Sequence, residues 1–129
     1  MALISLDIKN TLADCDKGYI EIRCAVNSSQ IYEINKLFLK RSDKVVASIS
    51  DTHTDEINRS GVTVNSSISN VGLSYLSIRI ISPNVEPTKD EGPYQCFLEV
   101  WNDDTGFITE NSSLKMLNIT GNVKYTSCL

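Results

Sequence analysis

Strict two-residue alternation is the feature that most limits what this chain can fold into. Ile20-Glu-Ile-Arg-Cys-Ala-Val26 puts Ile20, Ile22, Cys24 and Val26 on one face and polar residues on the other. Tyr94-Gln-Cys-Phe-Leu-Glu-Val-Trp101 does the same with Tyr94, Cys96, Leu98 and Val100. A period of two matches an extended strand with one buried and one outward face. Shorter candidate strands accompany them: Leu6 to Leu12, the β-branched run Val45 to Ile49, the short Val62 to Val64, the cleanly alternating Leu76 to Ile80, and Leu114 to Ile119. In another, Leu37 and Leu39 share one face while Phe38 and Lys40 share the other. Gly, Asn, Asp and Ser lie between them, so the chain reads as an all-β sandwich or barrel. Ile31, Ile34 and Leu37 stand three apart, which leaves a short helical stretch over 29–40 as the alternative there.

At 129 residues the chain is the size of one domain. The expected division is a domain over 1–120 and a C-terminal stem over 121–129 that carries Cys128. A net charge of -4 disfavours nucleic acid and anionic membranes as partners, because both need a basic patch. No run of about 18 apolar residues is present to cross a bilayer. The start, Met1 to Ser5, lacks the basic flank and apolar stretch of a signal peptide, so a secreted form is expected to have lost its signal or to be one domain of a longer receptor. The four cysteines form no CxxC pair and have no His-rich partner set, which argues against zinc. Five Asn-x-Ser/Thr sequons, at Asn27, Asn58, Asn65, Asn111 and Asn118, point to a secreted, glycosylated surface.

The run Asp90-Glu-Gly92-Pro-Tyr94-Gln-Cys96 resembles the D-x-G-x-Y-x-C motif of the immunoglobulin superfamily, and Leu76-x-Ile78-x-Ile80 resembles another of its strands. The resemblance covers about residues 5 to 120. It implies an immunoglobulin-like β-sandwich of the variable type, with two antiparallel sheets in Greek-key order. It further implies a Cys24–Cys96 disulfide and a tyrosine corner, in which the Tyr94 hydroxyl bonds back to the chain before the strand. Gly92 suits the tight approach to that corner, and Asp90 is expected to pair with Arg59 or Arg79. In such a sandwich Cys15 and Cys128 can reach the same pole, so a second bridge between them, tying the stem down, is expected; the alternative is that Cys128 pairs with another chain or with a downstream domain. Closing a loop of roughly 110 residues stabilises by up to about 4.7 kcal/mol in the chain-entropy model.

The chain departs from the family in its core. The usual inner Trp is missing and Leu37 stands near its place, while the single Trp is Trp101. The connection Ile81 to Lys89 holds Pro83 and Pro87 and is long, and the Gly-x-Gly bulge of antibody domains is absent. Ile34-x-x-Leu37-x-Leu39-x-Arg41 and Tyr75 to Ile80 look like variable-type domains of invertebrate immune receptors. The immunoglobulin part of molluscan fibrinogen-related lectins is the first comparison, and cnidarian allorecognition receptors the second.

No catalytic constellation emerges, and no cofactor or metal is expected. His53 is the only histidine and lies in a polar stretch, Ser50 to Glu56, that reads as a loop. Asp103-Asp104-Thr-Gly106 reads as a hairpin turn rather than a calcium loop. Strand parity instead gathers Phe38, Phe97, Trp101 and Phe107 on one outer face, a candidate binding patch. The competing expectation is that loops cover these rings, or that Trp101 folds inward to fill the missing core volume. The resulting expectation is a non-enzymatic extracellular recognition module binding a protein or glycan ligand. The alternative is homophilic adhesion through the same domain on another chain. A structural spacer is the third reading.

Overall fold

A computed structural model describes residues 4–27, 33–50, 54–55, 59–102 and 106–120. The alternating segments become strands: β1 (Ile4–Asn10), β2 (Tyr19–Val26), β3 (Ile34–Arg41), β4 (Lys44–Ser50), β5 (Thr54–Asp55), β6 (Val62–Ser67), β7 (Tyr75–Ile81), β8 (Gly92–Asn102), β9 (Gly106–Asn111) and β10 (Lys115–Leu117). One antiparallel sheet runs β1-β2-β7-β6; the other runs β10-β8-β3-β4-β5, with β9 also paired to β8. The chain changes sheet between β2 and β3, between β5 and β6, and between β7 and β8.

The two sheets bury one face each. Burial alternates residue by residue along β2, which is how a period-two sequence meets a core. Ile20, Ile22, Cys24, Leu37, Leu39, Leu76, Ile80, Cys96 and Leu98 are fully inaccessible. The Cys24–Cys96 disulfide, with a sequence separation of 72, joins β2 of one sheet to β8 of the other at a Cα–Cα distance of 5.7 Å. Leu37 is fully buried within this core. The volume is filled by many aliphatic side chains and Tyr94, so truncating one such leucine is expected to cost about 2–5 kcal/mol.

Several expectations from the sequence need correction. The first strand stops at Asn10 rather than reaching Leu12. There the Asn10 side chain accepts the Leu12 N–H (3.0 Å) and Thr11 N–H bonds to the Tyr19 carbonyl (2.9 Å), turning the chain into a 3-10 segment over Leu12–Lys17. Residues from Ile34 onward form a strand, so the described part of 29–40 is not helical. The stretch Ser50 to Glu56 is not all loop, because β5 adds two residues to the edge of β4. The strand at Val62 continues to Ser67. The connection after β7 holds a 3-10 turn (Ser82–Asn84) and one helical turn, α1 (Pro87–Asp90).

The last strand is also not the single segment Leu114 to Ile119. β9 pairs with the Phe97–Asn102 half of β8 and β10 with the Gly92–Tyr94 half, so one edge strand is broken between them. Buried Ser112 makes the break. Its Oγ accepts the Cys96 N–H at 2.9 Å and donates to the Ser113 carbonyl at 2.9 Å, while its own N–H bonds to the Cys96 carbonyl. A serine hydroxyl thus takes the ladder position of a backbone carbonyl, and the chain gains a residue as in a bulge. Leu117 and Ile119 return to the core beyond it.

Candidate functional site

The outward residues of β8 alternate with its core residues, and β3 and β9 flank it. The register places Phe38 opposite Phe97 and Trp101 opposite Phe107, so all four predicted aromatics share the outer face of the second sheet. They form two pairs rather than one patch. Phe38 and Phe97 stack with centroids 5.1 Å apart and planes at 12°. Trp101 and Phe107 meet edge to face at 4.8 Å. The four rings are not equally exposed. Phe38 is only 9% exposed, whereas Trp101 is 42% and Phe107 60% exposed.

Lysines account for part of the difference. Lys36 Nζ lies 5.2 Å from the Phe38 centroid, and Lys40 Nζ lies 5.7 Å from Phe38 and 5.0 Å from Phe97. These are cation–π distances, and the lysine stems cover ring surface that sequence parity leaves open. Glu99, between the two aromatic pairs on β8, accepts a 2.8 Å hydrogen bond from the Asn35 side-chain amide. Asn35 stands at a register shift of β3. Trp101 does not fold into the core: Val100 takes the inward position and Trp101 the outward one.

The predicted tyrosine corner is present as geometry. Fully buried Tyr94 donates its hydroxyl to the Asp90 carbonyl at 2.7 Å. Burial, with the Asp90 charge close by, pushes the phenol well above its ordinary range. Gly92 has φ +137°, a region that favours glycine. A Cβ there would meet only the Arg41 side chain at ordinary contact distance, so backbone conformation, not crowding, is the reason for glycine. The partner of Asp90 is Arg59, at 2.6 Å, and not Arg79, whose guanidinium lies 3.8 Å over the Tyr19 ring on the outer face of the other sheet.

Arg59 also donates to the Asn84 carbonyl at 3.2 Å. Its Nε lies 3.3 Å from Glu86 Oε2, within ion-pair distance but outside hydrogen-bond geometry. The Asp90 carboxylate additionally accepts the Glu86 N–H at 2.7 Å. The Asp90 hydrogen bond raises the Arg59 pKa further. Glu91 Oε1 collects three donors, the Ile119 N–H (2.8 Å), the Thr120 N–H (2.9 Å) and the Thr120 hydroxyl (2.8 Å), which hold its pKa below the ordinary value.

Four of the five sequon asparagines are described, and all four are exposed: Asn27, Asn65, Asn111 and Asn118. Asn58 lies outside the described residues, as do His53, Asp103, Asp104 and the stem over 121–129. No cysteine among the described residues is free, and Cys15 is disulfide-bonded. Its expected partner, Cys128, lies outside the described residues. Among the described residues no cluster of three His, Cys, Asp or Glu stands where it holds a metal ion, and no helix is long and apolar enough to cross a membrane.

No protein-family model matches the chain, and no curated protein does. Solved structures do. One matching chain comes from a structure described as the structural basis of T cell specificity and activation by the bacterial superantigen toxic shock syndrome toxin-1. The TM-score is 0.51 at 9% identity, over 88% of this chain and 98% of that one. At that identity the likeness concerns the fold alone, and it spans nearly all of both chains.

Proposed function

We propose that this chain is a variable-type immunoglobulin domain acting as an extracellular, non-enzymatic recognition module that binds a protein or glycan ligand through the outer face of its second sheet. Support for the fold comes from three features taken together. The strand order is β1-β2-β7-β6 against β9/β10-β8-β3-β4-β5, a disulfide joins β2 to β8, and the Tyr94 hydroxyl bonds back before β8. A disulfide and the sequons favour an oxidising, extracellular setting. The proposal extends to the invertebrate immune-receptor type that Ile34 to Arg41 and Tyr75 to Ile80 resemble.

The observation that carries the recognition role is the Trp101–Phe107 pair, two large rings in edge-to-face contact and left open on a sheet face. Exposed tryptophan beside a second ring is the composition of interface hot spots. The same face carries both charge signs, Lys36 opposite Glu99, so two copies face to face do not simply repel; this favours homophilic adhesion as the second reading. The test is Trp101→Ala, followed by sedimentation at several concentrations and binding to a glycan array. Because Trp101 is half-exposed, its loss should cost no more than about 1 kcal/mol of stability. Lost association or glycan binding with near-normal melting supports the proposal. Unchanged behaviour in both assays, or gross unfolding, rejects it.

A further inference from the structure

Asn111 ends β9, is exposed, and begins the sequon Asn111-Ser112-Ser113. Its register partner is Phe97. Residues directly opposite in an antiparallel ladder project to the same side with Cβ atoms about 4.5–5.5 Å apart. A sugar joined to the Asn111 amide therefore starts beside the Phe97 ring. Phe97 stacks on Phe38 and carries Lys40 nearby, both on its β3 side. Toward β9 its nearest neighbours in register are polar, Asn111 itself and Thr109, the latter opposite Glu99. No apolar side chain of β9 closes that flank.

We propose that Asn111 carries an N-linked glycan whose first N-acetylglucosamine packs its C–H face against the Phe97 ring, covering the Phe38–Phe97 half of the outer face and leaving the Trp101–Phe107 half open. In forming the link, the Asn111 amide nitrogen bonds to the anomeric carbon of a lipid-diphosphate-linked oligosaccharide. The carbon–oxygen bond to the diphosphate breaks, the lipid diphosphate leaves, and the amide loses one proton. The C–H groups of a β-pyranose face carry partial positive charge and meet the negative face of the aromatic quadrupole. Asn65 provides the contrast. It is also exposed but stands opposite Ser77 on the other sheet, with no ring as its register partner. This inference does not depend on the recognition role.

The experiment uses the full chain secreted from a glycosylating eukaryotic host. Peptide mass spectrometry measures occupancy at Asn111. Melting is then compared for wild type, Asn111→Gln, Phe97→Leu and the double variant, with Asn65→Gln as control. Asn111 should be occupied, and N111Q should lower Tm by about 2–5 °C. On the F97L background the same change should lower it by less than half as much, and N65Q should resemble wild type. Proton NMR of the wild-type glycoprotein should show contacts between the first sugar and the Phe97 ring. An empty Asn111, equal Tm losses on both backgrounds, or absence of those NMR contacts overturns the proposal. If F97L does not fold, the wild-type NMR contacts decide.

Discussion

Replacing Arg59 with Met tests the energetics of the corner that begins β8. Methionine keeps much of the apolar stem and removes the charge and the fork of donors. Asp90 is 3% exposed and its carboxylate accepts from Arg59 at 2.6 Å and from the Glu86 N–H at 2.7 Å. After the substitution a buried carboxylate keeps one of these two donors, and the Asn84 carbonyl loses one. Breaking a fully buried pair from one side costs about 3–5 kcal/mol. Arg59 is partly solvated, which screens the pair, so about 2–3 kcal/mol is expected. Urea unfolding followed by circular dichroism should show a lower midpoint with an unchanged slope.

The double variant Arg59→Met/Asp90→Asn separates charge from packing. Neutralising Asp90 removes the stranded charge, so the pair should be more stable than R59M alone. A loss under about 0.5 kcal/mol for R59M, or a double variant no better than the single, would refute the reasoning.

Other outcomes follow from the same geometry. Tyr94→Phe removes only the hydroxyl that reaches the Asp90 carbonyl, so it should cost about 1–2 kcal/mol by denaturant titration, with the fold kept. Because burial raises the Tyr94 phenol, its absorbance change in an alkaline titration should come later than those of exposed tyrosines. Glu91 has a lowered folded pKa, so its contribution is present above the ordinary carboxylate value of 4.5 and is lost as pH falls through the folded value. Denaturation midpoints measured from neutral pH downward should therefore fall less steeply below pH 4.5 in Glu91→Gln than in wild type; identical slopes would count against the Ile119–Thr120 tether.

What the sequence makes legible here is whatever depends on parity or on a contiguous motif. Alternation alone puts Cys24 and Cys96 inward and Trp101 outward, because a strand leaves no third direction. The run Asp90 to Cys96 carries its own hydrogen bond within five residues, so it is readable as a local unit. Long-range partners are different. Arg59 and Asp90 are 31 residues apart with nothing local to join them, and Arg79 has the same charge. The pairing is decided by the segment just before β6, which carries Arg59 to the Asn84 carbonyl and to Glu86 beside the helical turn Pro87–Asp90. Ser112 looks like one more polar residue in Asn-Ser-Ser, yet its hydroxyl replaces a ladder carbonyl. Lys36 and Lys40 have the same parity as Phe38, but sequence does not say that their stems fold back over the rings. For that reason the sequence suggests four open aromatics where the structure leaves two.

Trp101 is the only tryptophan, so intrinsic fluorescence reports the proposed contact site without interference. Acrylamide quenching of the native protein, measured across a concentration series and with glycan-array hits added, tests the account most directly. The account predicts that Trp101 in the dilute free protein is readily quenched, and that quenching falls as association or ligand binding saturates. A Trp101 already shielded in the dilute monomer, or one whose quenching is unchanged at saturation, contradicts it.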